Sequence, residues 1–214
     1  MSRVAILGVG KVGTAIARAA HAAGHDVTIA GSGDPAPVQF IVEVMAPGVR
    51  VAAAAEAVRD AEIVILAIPL PKLETLSPEL LAGHTVIDAM NHWAPTDGAL
   101  PAVFDGTSDT STVVARHLAA SRVVKALNHI GYHEMEDDAR PEGAPDRRGL
   151  AAVSDDAAAA QQAADLVSSF GFDVIASTPL RLGAALEPGS EIFAGSFTAP
   201  EIRERLAAAH LSAV

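Results

Sequence analysis

The stretch VAILGVGKVG, residues 4–13, decides the fold of this chain. Its apolar run VAIL is typical of a strand buried on both faces, and it leads into the glycine pattern G-x-G-x-x-G at residues 8–13. Apolar residues then recur at helical spacing until Gly24, which ends the predicted helix, and a second strand is predicted at 27–30. The strand, glycine turn, helix and second strand together form a βαβ unit.

The glycine pattern predicts a dinucleotide site, because it follows a buried strand and opens a helix. The first glycine permits a tight turn, the second lets a pyrophosphate approach the main chain, and the third lets the helix pack closely on the strand. Backbone N–H groups at the start of the helix then point at the phosphates. The predicted phosphate site is formed by Gly8, Val9, Gly10, Lys11, Val12 and Gly13. The alternative is a glycine turn in an α/β fold that binds no nucleotide.

Strands and helices continue to alternate along the rest of the chain. Strands are predicted at 49–51, 63–68, 85–89, 122–127, 149–153 and 172–176. Helices are predicted at 53–58, 72–81 with an interruption near Ser77 and Pro78, 111–120, 155–170 and 200–210. Ser154 and Thr198 are the predicted N-caps of the last two helices. The alternation predicts a Rossmann-type α/β fold with a doubly wound, mostly parallel sheet of about eight strands.

The predicted nucleotide-binding domain covers residues 1–178, and a small C-terminal helical appendage follows at 179–214. We expect this appendage to cover the acceptor site or to form a dimer contact. The segment 131–148 is polar and contains proline and glycine, so it is predicted to be a surface loop.

The composition limits the classes of function. Of the 214 residues, 50% are hydrophobic, which is enough for a packed core. No cysteine is present, which excludes disulfides, thiolate metal sites and a thiol nucleophile. The formal net charge is -11, so the chain has no general attraction to nucleic acid or anionic lipid. The longest apolar run, 63–70, is too short to cross a membrane, and we expect a cytoplasmic protein.

The end of the second strand distinguishes NADP from NAD. NAD enzymes place an acidic residue there, on the ribose 2′-hydroxyl, whereas this chain reads AGSGD at 30–34. Ser32 can donate its hydroxyl to a 2′-phosphate and the N–H of Gly33 can assist, but Asp34 would repel that phosphate if it turned inward. Lys11 is the nearest cation in the sequence. NADP is therefore favoured over NAD, and the alternative for Ser32 is a turn residue.

Six segments resemble the NADPH-dependent reductases of the deazaflavin coenzyme F-420 (F420). These segments are 4–8, 24–27, 30–32, 65–69, 86–91 and 123–128. The resemblance implies a Rossmann-type fold, NADP(H) bound across the carboxyl ends of the strands, and hydride transfer to the deazaflavin. In that family a serine and an arginine after the second strand hold the 2′-phosphate; Ser32 matches the serine, and Gly33 stands at the position of the arginine. The chain is also similar to the reductase domain of the six-transmembrane metalloreductases, but none of its predicted segments spans a membrane.

The residues that follow the predicted strands are expected to complete the site, since ligands in such sheets bind beyond the carboxyl ends of the strands. We expect the nicotinamide half of the cofactor near Ile68, Pro69, Ala89, Met90 and Asn91, and the substrate near Asn128, His129 and Ile130. His129 is the candidate catalytic residue, because its ring can donate a hydrogen bond to a carbonyl of the acceptor or carry a proton. The alternative is a loop histidine whose ring is bonded to the main chain.

Two further interpretations concern the loop after residue 128. His129 and His133 would suit zinc only if their segment were helical, and Gly131 argues against that, so no metal is expected. Three arginines could receive the anionic tail of a deazaflavin or belong to a plain surface loop: Arg140, Arg147 and Arg148. Either of the aromatic residues Trp93 and Tyr132 could stack on a ring of the acceptor.

Three functions are compatible with these features. The first is an NADP-dependent oxidoreductase with the deazaflavin as its partner substrate. The second keeps the donor site and changes the acceptor to a flavin, a ferric chelate, or a small carbonyl or imine. The third is a non-catalytic module that senses the dinucleotide, since a fold does not settle a function. A homodimer is expected, with the alanine-rich face of 201–210 as a contact or, alternatively, as an intramolecular packing surface.

Overall fold

A computed structural model describes residues 1–104 and 109–212 of the chain. These residues contain one eight-stranded sheet with the order β3-β2-β1-β4-β5-β6-β7-β8. The strands are β1 (Arg3–Leu7), β2 (Asp26–Ala30), β3 (Arg50–Val51), β4 (Ile63–Leu66), β5 (Thr85–Asp88), β6 (Arg122–Lys125), β7 (Gly149–Ser154) and β8 (Asp173–Ser177). Strands β1 to β6 run parallel, and β7 is antiparallel to β6 but parallel to β8. The predicted Rossmann-type, mostly parallel sheet is therefore confirmed.

Ten α-helices connect or flank the strands within the described residues. They are α1 (Lys11–Ala22), α2 (Ala36–Met45), α3 (Ala54–Arg59), α4 (Pro78–Leu81), α5 (Ala94–Asp97), α6 (Thr110–His117), α7 (Glu134–Asp137), α8 (Ala157–Ser169), α9 (Glu191–Ala194) and α10 (Ala199–Ser212). Three 3-10 helices lie at Leu70–Thr75, Ala102–Phe104 and Leu180–Leu186. In this part of the chain, no helix is both long and apolar enough to cross a membrane.

The strand order reverses between β1 and β4, at the position of a surface cavity. From β1 the chain winds outward through β2 and β3, and it then returns to place β4 on the other side of β1. At the centre, Ile6 of β1 lies beside Ile29 of β2 and Ile65 of β4. The helices that connect neighbouring strands diverge at such a reversal, which leaves a crevice at the carboxyl ends of the strands.

Apolar side chains cover both faces of the sheet, as the continuous apolar runs of its strands predict. One cluster packs α1 and α8 against one face, and a second packs α3 and α6 against the other. Helix α1 approaches closely because its inner face carries small residues such as Ala15 and Ala20, both fully buried. A third cluster joins Ile202 and Leu206 of α10 to β7. Helix α10 therefore packs on the sheet through Ile202 and Leu206, whereas Ala207 and Ala208 of its alanine-rich face are exposed.

The structure corrects three details of the sequence prediction. Helix α2 was not predicted, because its residues are almost uniformly apolar and show no helical period; only Val42 is buried. Asp156, not Ser154, caps α8, since its side chain accepts from two backbone N–H groups of the first turn. The segment 131–148 is not wholly a surface loop, because it contains α7 and ends at the buried Arg148.

The last two residues of the predicted appendage, 213 and 214, lie outside the described residues.

Candidate functional site

The glycine turn joins the carboxyl end of β1 to α1 through close backbone contacts. The N–H of Gly8 donates to the carbonyl oxygen of Ala30 at 2.8 Å, and Gly8 has a φ of +129°, a conformation that L side chains rarely adopt. A Cβ atom at Gly13 would lie 1.9 Å from the carbonyl oxygen of Gly8. Gly8 and Gly13 are therefore required by the turn itself and by the packing of the helix on the strand.

Gly10 differs from the other two glycines of the pattern. It is the N-cap of α1, with the ordinary extended backbone values φ -75° and ψ -175°. A Cβ atom built on it meets no atom of the described residues within 4 Å. The fold itself therefore does not require glycine here, and the space above Gly10 is open to a ligand at the start of α1. The first-turn N–H groups of a helix have no partner within the helix and attract anions.

A cavity of about 570 Å³ lies over this turn at the carboxyl ends of β1, β2 and β4. It brings together predicted residues from three separate segments: Gly8, Val9 and Gly10, Ser32 and Gly33, and Ile68 and Pro69. Lys11, Val12 and Gly13 are not among its lining residues, and the Nζ atom of Lys11 lies 5.4 Å from the ring centre of Tyr132. The cavity thus joins the glycine turn to the loops after β2 and β4.

The 3-10 helix after β4 supplies a wall of the cavity that the sequence analysis missed. Five of its lining residues come from this helix and the segment that follows: Lys72, Thr75, Leu76, Ser77 and Leu80. The sequence predicts helical structure over 72–81 with an interruption near Ser77 and Pro78, and the structure has a 3-10 helix, Leu70–Thr75, followed by α4. That prediction does not say which side chains face a cavity. Asp34 does not line the cavity; its Oδ1 accepts from the N–H of Ala36 at 3.0 Å at the start of α2.

A pair of asparagines connects the carboxyl ends of β5 and β6. Nδ2 of Asn128 donates to Oδ1 of Asn91 at 3.1 Å, and Nδ2 of Asn91 donates to the carbonyl oxygen of Asn128 at 2.6 Å. Leu127, directly before Asn128, has a φ of +63°, a left-handed conformation that costs a non-glycine residue about 1–2 kcal/mol. Nδ2 of Asn128 also donates to the carbonyl oxygen of Leu186 at 2.6 Å. The C-terminal appendage is thereby bonded to these strand ends.

A buried ion pair lies just below the asparagines. Asp88 and Lys125 end β5 and β6, and both side chains are 0% exposed, with 3.2 Å between Nζ and Oδ2. Nζ of Lys125 also donates to the carbonyl oxygen of Met90 at 2.6 Å, and Oδ1 of Asp88 accepts from the N–H of Met90 at 3.0 Å. The hydroxyl of Ser111 donates to Oδ2 of Asp88 at 2.9 Å. The pair therefore fixes the main chain that leads to Asn91.

The sequence offered a signal for this ion pair. Opposite charges end two strands whose central residues are apolar and which a parallel sheet places side by side, and burying either charge alone is costly. Of the other predicted residues here, Ala89, Met90 and Ile130 are buried. Their side chains pack in the core clusters, so none of the three offers an exposed side chain to a ligand.

His129 is 2% exposed, and both of its ring nitrogens have partners. Its Nε2 accepts from the N–H of Ala151 at 3.1 Å, and its Nδ1 lies 3.2 Å from Oδ1 of Asn128, to which it donates. Burial, followed by the positive charges of Arg148 and Lys125, lowers the pKa of His129 to about 3. The geometry corresponds to the alternative interpretation, a histidine bonded to the main chain, and the ring is neutral near pH 7.

A glutamate of the appendage adds a further buried group. Oε1 of Glu187 accepts from the N–H of Thr110 at 2.9 Å and from its hydroxyl at 2.7 Å. Burial raises the pKa of Glu187, while the positive charge of Lys125 and the bonds from Thr110 act in the opposite direction. Together with the bond from Asn128 to the main chain of Leu186, this contact holds the segment after Leu186 against α6.

The arginines of the 131–148 segment are engaged with the protein itself. Arg147 bonds to Asp173 at 2.8 Å, and Arg148 bonds to Asp138 at 2.7 Å. Arg140 lies 3.3 Å from Asp146. These ion pairs stabilise the start of β7 and its neighbours. A group of three or more His, Asp or Glu side chains that could hold a metal is not found among the described residues.

The two candidate aromatic residues lie at different places. Trp93 is 51% exposed and packs against Phe193 of α9, with 5.7 Å between the ring centres. Tyr132 packs against His133 at 3.8 Å between ring centres and lies beside the glycine turn, under Lys11. The contact between Trp93 and Phe193 lies two residues along the chain from Asn91.

Residues 3–92 match the family model described as NADP oxidoreductase, coenzyme F420-dependent. Over this range, the family resemblance seen in the sequence is confirmed. The matched range contains the glycine turn, the loop after β2, the wall after β4 and Asn91. The predicted enzyme class, an NADP-dependent oxidoreductase, is confirmed with it. The comparison with curated proteins gives no match.

Solved structures with the same architecture extend the comparison to most of the chain. A protein of Arthrobacter sp. FB24 named for F420-dependent NADP reductases is 28% identical, with a TM-score of 0.71 over 87% of this chain and 90% of that chain. A hypothetical protein of Sinorhizobium meliloti is 25% identical, with a TM-score of 0.76 over 92% and 96% of the two chains. A pyrroline-5-carboxylate reductase of Coxiella burnetii is 16% identical, with a TM-score of 0.58 over 86% of this chain and 62% of that chain, and it shares the fold.

Proposed function

We propose that this oxidoreductase transfers hydride between NADP(H) and the deazaflavin coenzyme F420. The observation that supports the donor site is the cavity over the glycine turn, which unites the three loops that such a dinucleotide must contact. The named Arthrobacter protein and the matching family model both refer to coenzyme F420, and they support the identity of the acceptor.

The residues of the cavity would each hold a different part of NADP(H). The open space at Gly10 admits the pyrophosphate to the N–H groups at the start of α1. Ser32 and the N–H of Gly33 would face the 2′-phosphate on the β2 side of the cavity. Ile68 and Pro69 would pack beside the nicotinamide ribose, which directs the ring toward Asn91 at the end of β5.

The appendage supports a covered acceptor site next to the nicotinamide. Its main chain is bonded to Asn128 at Leu186, and its Phe193 packs against Trp93 beyond β5. These contacts support an appendage that covers the ends of β5 and β6, where the acceptor would have to lie. A covered site excludes water from the hydride, whereas a module that only senses the dinucleotide has no need of such a cover.

The chemistry is supplied by the two coenzymes, and the protein has to align them. Hydride transfer needs the reacting carbons about 3–3.5 Å apart. Because the ring nitrogens of His129 are bonded to Ala151 and Asn128, this ring positions the loop and does not carry a proton. The proton that accompanies reduction of the deazaflavin would then come from solvent.

The test is a comparison of acceptors with the purified protein. NADPH is mixed separately with oxidised F420, flavin mononucleotide and a ferric chelate, and its oxidation is followed by absorbance. The expected result is that NADPH is oxidised in the mixture with F420 and in neither of the other two mixtures. If NADPH were oxidised by another acceptor but not by F420, the proposed acceptor would be wrong, while the proposed NADP(H) site would still hold. Tight NADPH binding without oxidation by any acceptor would favour a dinucleotide sensor.

A further inference from the structure

The loop after β2 supplies no positive charge to a 2′-phosphate. In the segment Gly31–Ser32–Gly33–Asp34, the one charged side chain is a carboxylate. Its Oδ1 is used to accept the N–H of Ala36, and Asp34 does not line the cavity. A phosphate monoester at this position carries a charge of about -1.5 to -2 near pH 7. In a protein with a net charge of -11, that charge needs a cation from another segment.

Lys72 comes from the opposite wall of the same cavity. Of the described residues that line the cavity, it is the only Lys or Arg, and no Asp or Glu lines it. The cavity therefore has a local charge that is opposite in sign to the charge of the whole chain. Ser32 and Lys72 line the same cavity although 40 positions separate them in the sequence.

The main chain holds Lys72 in place, and its ammonium group forms no ion pair with any other described residue. Its N–H donates to the carbonyl oxygen of Pro69 at 2.9 Å, and its carbonyl oxygen accepts the hydroxyl of Thr75 at 2.7 Å. The next residue, Leu73, is 1% exposed and anchors the turn in the core. Among the ion pairs of the described residues, none involves Lys72. A new anionic partner would thus not have to displace a carboxylate.

We propose that Lys72, together with Ser32, binds the 2′-phosphate of NADP(H) and selects NADP over NAD. This inference rests on the proposed function, because it assumes that NADP(H) occupies the cavity. Lysine binds phosphate as a point charge and needs no fixed geometry, so a cation on the facing wall can serve in place of one on the β2 loop. The preference would then depend on two segments that are brought together only by the fold.

The test compares Lys72→Gln with a charge-matched control, Arg59→Gln. Arg59 is exposed at the end of α3, and among the described residues it forms an ion pair with the neighbouring Asp60 alone, at 3.7 Å. Both variants lose one positive charge, so the control reports the effect of net charge alone. Affinities for NADPH, NADH, adenosine 2′,5′-bisphosphate and adenosine 5′-monophosphate are measured by titration calorimetry, which needs no turnover.

Lys72→Gln is expected to weaken NADPH and the bisphosphate roughly 10- to 100-fold, the equivalent of one charge-assisted hydrogen bond. NADH and the monophosphate should change less than about twofold, and Lys72→Arg should retain most of the affinity for NADPH. Equal weakening of NADPH and NADH by Lys72→Gln, or the same effect from Arg59→Gln, would overturn the role of Lys72. If the unaltered protein bound neither NADPH nor NADH, the proposed function itself would be wrong. The titrations of the unaltered protein show this directly, before any variant is compared.

Discussion

Substitutions at two glycines of the turn are predicted to have different effects: one on nucleotide binding, the other on the stability of the fold. Gly10→Val places a side chain where the described atoms leave open space, whereas Gly13→Ala places one atom 1.9 Å from the carbonyl oxygen of Gly8. The first change should weaken nucleotide binding and keep the fold. The second should damage the fold, even though it adds only one methyl group.

The magnitudes follow from the two environments. At Gly13 the clash is with main-chain atoms that cannot move aside, so the cost should reach the upper end of the usual range for overpacking, about 3 kcal/mol. In a chain of 214 residues, that corresponds to a melting temperature lower by about 6–12 °C. At Gly10 the φ of -75° suits any residue, and replacing glycine at an N-cap by valine costs about 1 kcal/mol or less.

For binding, Gly10→Val would keep a pyrophosphate away from the N–H groups at the start of α1. Losing one charge-assisted hydrogen bond costs about 1.5–3 kcal/mol, which weakens binding roughly 10- to 100-fold. The assay pairs thermal unfolding with calorimetric titration of NADPH for both variants. Normal NADPH affinity in Gly10→Val would refute the placement of the phosphates, and normal melting of Gly13→Ala would refute the close packing of α1 on the turn.

Two further predictions concern buried groups at the carboxyl ends of β5 and β6: His129 and the pair of Asp88 and Lys125. Burial, with Arg148 and Lys125 nearby, lowers the pKa of His129 to about 3. Below about pH 6.5 the histidine therefore becomes protonated in the unfolded chain but stays neutral in the folded protein, so the free energy of unfolding decreases as the pH falls. In urea unfolding, the stability advantage of the unaltered protein over His129→Gln should therefore narrow by about 2 kcal/mol between pH 7 and pH 5; an advantage independent of pH would contradict the buried neutral ring. Lys125→Met leaves Asp88 buried without its cation and should cost about 3–5 kcal/mol in the same assay, part of which Asp88→Asn should restore in the double variant. A loss below about 1 kcal/mol would show that the pair is not buried as described.

The fold was predictable because its signals are local. Each central strand is a short continuous apolar run, and the context of the glycine pattern fixes the first βαβ unit. Helix α2 escaped prediction because Phe40 and Val44 are exposed, at 74% and 63%, so that its apolar residues are not confined to one face. The N-cap of α8 was misplaced by two residues because Ser154 and Asp156 are both good capping residues, and only the geometry distinguishes them.

The site was predictable where one loop forms it and less so where distant segments meet. The glycines and Ser32 follow directly from the pattern and the strand end. Lys72 could not be identified in this way, because the face that a 3-10 helix turns toward a cavity depends on how its neighbours pack. The environment of His129 was equally inaccessible, since Ala151, which bonds its ring, comes from an antiparallel strand whose direction the sequence does not reveal.

The polar groups at the ends of β5 and β6 share a property that bears on the chemistry. The side chains of Asp88 and Lys125 are bonded to each other, Asn91 and Asn128 are bonded to each other, and His129 is bonded to β7. Such a cluster is costly to assemble unless its members are satisfied, and satisfied groups make poor proton donors to a substrate. Reduction of a carbonyl or imine needs a proton delivered to the substrate as hydride arrives, whereas transfer between two ring cofactors needs mainly alignment. The half of the site that we propose faces the acceptor is therefore better suited to aligning a planar ring with the nicotinamide than to acid–base catalysis.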